Sequence, residues 1–178
     1  MNMAHIIAID GPSASGKTTL ATRLAREHYA IYLHSELDDA ERGWPSLYRH
    51  AGLIVLDRWW VSTAVYDSRP WTRHALTVLG HTAQAPHNVI AHVVLAPRNT
   101  DAARAAHDRQ LADKTTTGPL SIARTHADIF KEENRRWERS RRLSPLPTVA
   151  VTDHESEDWN KAAYSYIAEA IQRTKEVF

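Results

Sequence analysis

Residues 11–18 read Gly11-Pro12-Ser13-Ala14-Ser15-Gly16-Lys17-Thr18 and match the pattern G-x-x-x-x-G-K-[ST] at every fixed position. The apolar stretch Ala4–Asp10 precedes them and predicts a short buried strand. Leu20 and Leu24 follow four positions apart, a spacing that predicts a helix over Lys17–Glu27. Strand, glycine loop and helix in this order are the context in which the pattern binds phosphate.

The residue types of this loop predict how it would hold a nucleotide. Glycines at both ends let the backbone approach a phosphate chain closely, and the following helix turns its amide groups and positive dipole end toward that chain. We expect Lys17 to reach the β- and γ-phosphates, and the Thr18 hydroxyl to hold Mg²⁺. The residues assigned to this nucleotide site are Gly11, Ser13, Ala14, Ser15, Gly16, Lys17, Thr18 and Thr19.

Length and composition predict one ordinary cytoplasmic domain over residues 1–178. Hydrophobic residues make up 43% of the chain, yet no run approaches the ~18 apolar residues of a membrane span, so no membrane partner is expected. The start of the chain lacks the pattern of a signal peptide. Cysteine is absent, which excludes disulfides and thiolate zinc sites. The net charge of +1 gives no general attraction to nucleic acid.

Apolar stretches alternate with helical patterns along the whole chain. The strands expected after the first are Ala30–His34, Leu53–Asp57, Val89–Leu95 and Thr148–Val151. The helices expected after the first are 70–83, 100–111, 121–143 and 157–175. This alternation predicts an α/β fold, a five-stranded parallel sheet with helices on both faces. Together with the glycine loop, this arrangement resembles the three-layer sandwich of P-loop NTPases.

Carboxylates stand at the ends of two predicted strands. Asp57 ends a buried strand, so it should share a crevice with the glycine loop and hold Mg²⁺ directly or through water. Capping of a following helix is the alternative role for this residue. Glu36 and Asp38 follow the second strand and are candidates for the base that deprotonates an acceptor hydroxyl. A phosphate acceptor would need no base, and these acids would then belong to a helix start.

The glycine loop and the segment Asp57-Arg58-Trp59-Trp60-Val61-Ser62 together resemble the thymidylate kinase and deoxynucleoside kinase group of P-loop kinases. That group carries an Asp-Arg-aromatic-x-x-Ser signature on its third strand, which the segment matches. The resemblance implies an ATP- and Mg²⁺-dependent kinase acting on a nucleoside or nucleoside monophosphate, with a deoxynucleotide as the expected acceptor. The chain departs from the group because Asp57 follows Lys17 by only 40 positions, and the segment between them normally contacts the acceptor.

The same resemblance implies a lid around 109–124 and an adenine site at the loop that contains Asp153. Phosphoryl transfer also needs cations on the oxygens of the transferred group. The candidate cations are Arg58, Arg104, Arg109 and Arg124. A solvated helix face is the alternative for each arginine. Trp59 or Trp60 is the candidate for stacking on a nucleobase, with packing in the core as the alternative.

Two other functions stay open from the sequence. The short acceptor segment and the basic run 135–142 would suit a kinase acting on DNA, at a 5′-hydroxyl or a hydroxymethylated base, although the near-neutral charge argues against it. A solvated helix face is the interpretation we favour for that run. A nucleotide-binding switch without transferase activity is disfavoured by Asp57-Arg58 and the lid arginines. The expected partners are ATP and the acceptor, and a homodimer is left open.

Overall fold

Five parallel strands form the sheet in the described part of the chain. The computed structural model describes residues 4–12, 15–35, 51–59, 61–62, 65, 87–95, 101, 104–105, 108–109, 131–132, 134–137, 149–151 and 161–175. The strands are β1 (Ala4–Asp10), β2 (Ile31–His34), β3 (Gly52–Asp57), β4 (His87–Leu95) and β5 (Val149–Val151). The two helices whose full bounds lie within the described residues are α1 (Lys17–Glu27) and α2 (Lys161–Lys175).

The strand order β2-β3-β1-β4-β5 puts the glycine loop at the centre of the sheet. All four strand pairings are parallel. From β1 the chain passes to β2, toward one edge of the sheet, and from β3 it passes to β4, toward the opposite edge. The neighbouring strands β1 and β3 therefore flank a topological switch point. Ligands of open α/β sheets bind at such points, outside the carboxyl ends of the strands. The pairing of Ile9 with Asp57 brings the end of β3 beside the end of β1 at this position.

Helices α1 and α2 cover one face of the sheet. Leu20 and Leu24 of α1 and Ile167 of α2 are fully buried, and they pack against side chains such as Ile7 and Ile9. Because side chains alternate along a strand, the even-numbered residues of β1 point to the opposite face. Burial on both faces explains why β1 reads as a nearly continuous apolar run.

The opposite face is covered by the segment after β3 and by a helical turn late in the chain. Trp59, Val61 and Val65 pack there with Trp137, against a layer that includes Ile6. Residues 134–137 are helical, so helical side chains bury both faces of the sheet. The predicted parallel α/β fold is therefore confirmed.

Several predicted boundaries differ from the observed ones by one or two residues. Strand β2 begins at Ile31 rather than Ala30, because the Ala30 amide donates to the carbonyl oxygen of Ala25 at 2.9 Å and still belongs to the end of α1. Strand β4 begins at His87 because its first residue pairs with Ala4. The described residues between 101 and 109, and those between 131 and 137, are helical as predicted.

Other predicted segments fall outside the described residues. These are the helix 70–83, most of the proposed lid 109–124, and parts of the predicted helices 121–143 and 157–175. In the described part of the chain, no helix has the length and apolar character that crossing a bilayer requires.

Candidate functional site

The glycine loop joins β1 to α1 through a left-handed residue. Gly16 has φ 84° and ψ 14° at the N-cap of α1, a conformation that glycine adopts without a steric cost. Within the described residues, no side-chain hydrogen bond caps the helix, and its first turn contains no acidic residue. The N-terminus of α1 is therefore suited to an anion, which its dipole and amide groups would stabilise.

Close packing beneath the loop leaves no room for a side chain at Gly11. A Cβ atom there would lie 2.9 Å from Leu95 Cβ and 2.9 Å from Ser15 Oγ. The Ser15 hydroxyl is buried, and no group among the described residues forms a hydrogen bond with it. Because buried polar groups are normally hydrogen-bonded, the Ser15 hydroxyl is available to form a hydrogen bond with a polar ligand in the loop.

Lys17 is buried although it carries a charge. Its Nζ atom donates a 2.6 Å hydrogen bond to the carbonyl oxygen of Pro12. The ammonium group therefore lies against the glycine loop rather than in solvent, so a cation is held where a phosphate chain would approach.

Asp57 ends β3 with a fully buried carboxylate whose two oxygens differ in their surroundings. Thr18 Oγ1 donates to Asp57 Oδ2 at 2.6 Å, and Tyr32 Oη donates to the same oxygen at 3.0 Å. His34 Nδ1 lies 3.4 Å from that oxygen. The other oxygen, Asp57 Oδ1, is buried and accepts no hydrogen bond from the described residues.

The register of the sheet explains this crowding around one oxygen. His34 pairs directly with Asp57 across the β2–β3 ladder. Tyr32 lies two residues earlier, and side chains two apart project from the same face of a strand. Both β2 side chains therefore lie beside the aspartate, while Thr18 approaches it from the first turn of α1.

The Tyr32 hydroxyl stays protonated at neutral pH. Burial is the largest cause that raises its pKa, followed by the charge of Asp57 and the hydrogen bond to it. The contact with Thr18 and the charge of Arg58 act in the other direction. The net result raises the pKa of Tyr32 to about 12, so its hydroxyl donates to Asp57 at neutral pH.

These residues fit Mg²⁺. A buried carboxylate oxygen without a protein partner, beside a threonine hydroxyl, supplies hard oxygen ligands. Among the described residues, no group of three His, Asp or Glu side chains forms a dedicated metal cluster. Mg²⁺ is usually bound by one or two carboxylates together with substrate phosphates and waters, so a sparse protein ligand set is the expected one.

A second buried carboxylate, Asp10, lies directly before the glycine loop. Its Oδ1 accepts the amide of Trp59 at 2.9 Å, the amide of Ser62 at 3.0 Å and the hydroxyl of Ser62. Its Oδ2 lies 2.8 Å from His92 Nε2 of β4. Burial acts to raise the pKa of Asp10, but the hydrogen bond and charge of His92, with the bonds from Ser62 and Trp59, outweigh it and lower that pKa.

Sequence reasoning missed Asp10 as a site residue, although its signal is the same as that of Asp57. Both are aspartates at the end of a buried apolar strand. The network also gives the serine of the Asp-Arg-aromatic-x-x-Ser signature a role, because Ser62 hydrogen-bonds to Asp10 through both its amide and its hydroxyl. Asp10 therefore anchors the signature segment under the glycine loop.

The turn after Asp57 is strained. Arg58 has φ 75°, in the left-handed region that non-glycine residues rarely adopt, and its amide donates to the carbonyl oxygen of Ile9 at 2.9 Å. Such conformations persist where the surroundings hold them, often at functional sites. Here β1 and Asp10 hold the two residues that follow the aspartate.

Trp59 packs in the core, the alternative role that the sequence left open for the tryptophans. Its side chain is 1% exposed in the core and meets the His92 ring edge-on, with 5.2 Å between ring centroids. The neighbouring candidate Trp60 lies outside the described residues.

The remaining candidates are exposed or undescribed. Three of them are exposed and in helical conformation: Thr19, Arg104 and Arg109. In the basic run, Arg135 and Arg136 form ion pairs with Glu132 at 2.9 Å and 3.0 Å, as on a solvated helix face. The site candidates outside the described residues are Ser13, Ala14, Glu36, Asp38, Arg124 and Asp153.

Several solved structures share this fold. A deoxyadenosine kinase from M. mycoides with bound dATP matches 93% of this chain and 98% of its own, with a TM-score of 0.58 and 11% identity. A NadR protein in complex with NR gives a TM-score of 0.60 and 16% identity over 94% of this chain, which spans 52% of that protein. YorR from Bacillus subtilis, in complex with phosphorylated GDP, gives 0.51 and 17% over 97% of this chain and 96% of its own.

The fold and the glycine loop place the chain in the P-loop nucleoside and nucleotide kinase group, as its sequence predicted. A family model described as cytidylate kinase matches residues 7–101, just over half of the 178 residues. The chain belongs to the cytidylate kinase family. A cytidylate kinase from Caulobacter sp. (strain K31) is 47% identical over 55 residues, a match that spans 31% of this chain and 21% of that protein.

Proposed function

We propose that this chain is an ATP- and Mg²⁺-dependent kinase that transfers a phosphoryl group to a nucleoside or nucleoside monophosphate. One observation carries the proposal: under the glycine loop, Thr18 donates to one oxygen of Asp57 at 2.6 Å, while the other buried oxygen has no partner among the described residues. A hydroxyl and a half-satisfied carboxylate beside a helix N-terminus suit a nucleotide with its metal ion.

The chain's own residues would divide the work of phosphoryl transfer, which depends on positioning and charge more than on covalent chemistry. The glycine loop and the N-terminus of α1 would hold the phosphates in line, and Lys17 would place its positive charge on them. Mg²⁺, when bound, neutralises charge on the phosphate oxygens. Asp57 and Thr18 would hold this ion, and Arg58 follows Asp57 directly in a turn held by β1.

Cytidylate and its deoxy form are the first acceptors to test, since the family is that of cytidylate kinases. A monophosphate acceptor attacks through a phosphate oxygen that is already ionised, so it needs no protein base. A nucleoside acceptor would need one, and Glu36 or Asp38 would supply it.

The proposal extends to the parts of the chain that surround the site. It includes a single three-layer domain over residues 1–178, a lid around 109–124 with cations from Arg104 and Arg109, an adenine contact from Asp153, and a cytoplasmic location. Exposure of Arg104 and Arg109 on a helix is compatible with arginines that reach a nucleotide only when a lid closes.

The test is transfer of the γ-phosphate of ATP in the presence of Mg²⁺. The acceptors are offered in parallel: cytidylate and deoxycytidylate, the other monophosphates, deoxynucleosides, and oligonucleotides with 5′-hydroxyls or hydroxymethylated pyrimidines. Label on a mononucleotide supports the proposal and identifies the base. Label on the oligonucleotides alone would move the acceptor to DNA, and ATP binding without transfer to any acceptor would favour a nucleotide-binding switch.

A further inference from the structure

Tyr32 is a residue that neither the glycine loop pattern nor the Asp-Arg-aromatic-x-x-Ser signature includes, yet it contacts the centre of the site. Its hydroxyl donates to Asp57 Oδ2 at 3.0 Å, beside the 2.6 Å bond from Thr18. Asp57 Oδ1, in contrast, accepts nothing from the described part of the chain. The donors around this carboxylate are thus distributed unequally between its two oxygens.

This unequal distribution determines how the carboxylate is oriented. A carboxylate held by donors at one oxygen cannot turn about its Cβ–Cγ bond without breaking those hydrogen bonds. His34 Nδ1 is farther from Oδ2, at 3.4 Å, and its side chain is 39% exposed, so the two hydroxyl groups make the closer contacts. Partners of this kind orient a metal ligand and raise its affinity for the ion.

We propose that Tyr32 is a positioning residue for Mg²⁺ in the nucleotide site, and that it acts by holding Asp57 through Oδ2 so that Oδ1 is kept for the ion. The inference rests on the proposed nucleotide site. It adds that β2, the edge strand of the sheet, takes part in the site through a side chain and not only through the segment that follows it.

The edge position of β2 makes the contact separable from the core. Tyr32 is half-buried, and its ring packs at the margin of the cluster under α1. Tyr32→Phe keeps that ring and removes only the hydroxyl. Loss of a hydrogen-bond partner of a metal ligand typically lowers metal affinity by about 10–100-fold, so we expect a loss near the lower end, about tenfold, because the Thr18 bond remains.

The experiment compares ATP binding by calorimetry in excess Mg²⁺ and in EDTA. In EDTA, we expect the ATP affinity of Tyr32→Phe to lie within about twofold of the wild-type value. The factor by which Mg²⁺ increases ATP affinity should be about tenfold smaller in Tyr32→Phe than in the wild type. The Mg²⁺ concentration that gives half-maximal transfer should rise by a similar factor.

Tyr29→Phe is the matched control, because Tyr29 lies three residues earlier and is 98% exposed. It should reproduce the wild type in every measurement. Equal Mg²⁺ dependence in Tyr32→Phe and wild type would overturn the inference, and so would an equal loss in Mg²⁺ and in EDTA, which would indicate a packing role. The binding measurement needs no acceptor, so it stands even if no acceptor is phosphorylated and the proposed kinase activity fails.

Discussion

Replacement of Asp10 should reveal how much the segment under the glycine loop depends on one buried carboxylate. Asp10 accepts hydrogen bonds from two amides and one hydroxyl, and it pairs with His92 Nε2 at 2.8 Å. Asp10→Asn is the informative substitution because it keeps the shape and one acceptor oxygen. That oxygen can still serve Trp59 and Ser62, whereas the new amide group faces His92.

The expected magnitude follows from these contacts. Asp10→Ala would leave two buried amides without an acceptor, at about 1–3 kcal/mol each, and break a buried pair whose loss costs about 3–5 kcal/mol. These costs overlap, but even their lower end approaches the roughly 5–15 kcal/mol that stabilises a whole domain. Asp10→Asn loses mainly the charge-assisted bond to His92, so we expect it to lower the free energy of unfolding by about 1–3 kcal/mol.

Urea denaturation followed by tryptophan fluorescence provides the assay, since Trp59 and Trp137 are both buried in the core. Asp101→Asn is the matched control: Asp101 is exposed, and its replacement should change stability by less than about 0.5 kcal/mol. The dependence of unfolding free energy on urea should keep the same slope, because Asp10→Asn does not change the surface exposed on unfolding.

The difference between wild type and Asp10→Asn should also depend on pH. The pKa of Asp10 is lower in the folded state than its ordinary value, so its stabilisation is fully present above about pH 4. The stabilisation is lost as the pH falls through the folded pKa. Two results would refute this reasoning: unfolding free energies of wild type and Asp10→Asn that agree at pH 7, or a difference that stays constant from pH 7 to pH 3.

Four further substitutions test the loop and the catalytic assignments. Gly11→Ala should destabilise the fold by about 1–3 kcal/mol and weaken ATP binding, because the new Cβ would lie 2.9 Å from Leu95 Cβ; a thermal unfolding midpoint and ATP affinity equal to wild type would contradict this. Lys17→Ala should abolish phosphate transfer while the chain stays folded, and near-normal turnover would refute the kinase assignment. Glu36→Ala or Asp38→Ala should slow transfer by about 10²–10⁴ if that residue is the base for a hydroxyl acceptor, whereas unchanged rates in both and in the double variant would indicate a phosphate acceptor or a base elsewhere.

Local patterns in the sequence were enough to predict the strand and the helix on either side of the glycine loop. The bounds of β1 and α1 agree with the prediction at every residue, because apolar periodicity and a glycine loop are encoded within a few neighbouring positions. Asp57 was identified for the same reason, as a carboxylate at the end of an apolar run. The strand count and the parallel α/β class also follow from the alternation of patterns.

Contacts between distant positions required the tertiary structure. Asp10 and His92 are 82 positions apart, and Tyr32 and Asp57 are 25 apart, so neither pair forms a pattern along the chain. The burial of Trp59 was likewise decided by its neighbours, since an aromatic residue beside a site can equally stack on a ligand or pack in the core.

The sequence by itself thus determined the loop and the strands next to it, and it predicted the class of ligand, because each depends on residue types at fixed short spacings. Strand order and register determined the rest. They align His34 with Asp57 and bring the carboxyl ends of β1, β3 and β4 to one edge, where Asp10 ties them together. Parallel strands are joined through long connections, so their register depends on packing across the whole sheet and is not encoded at any one position.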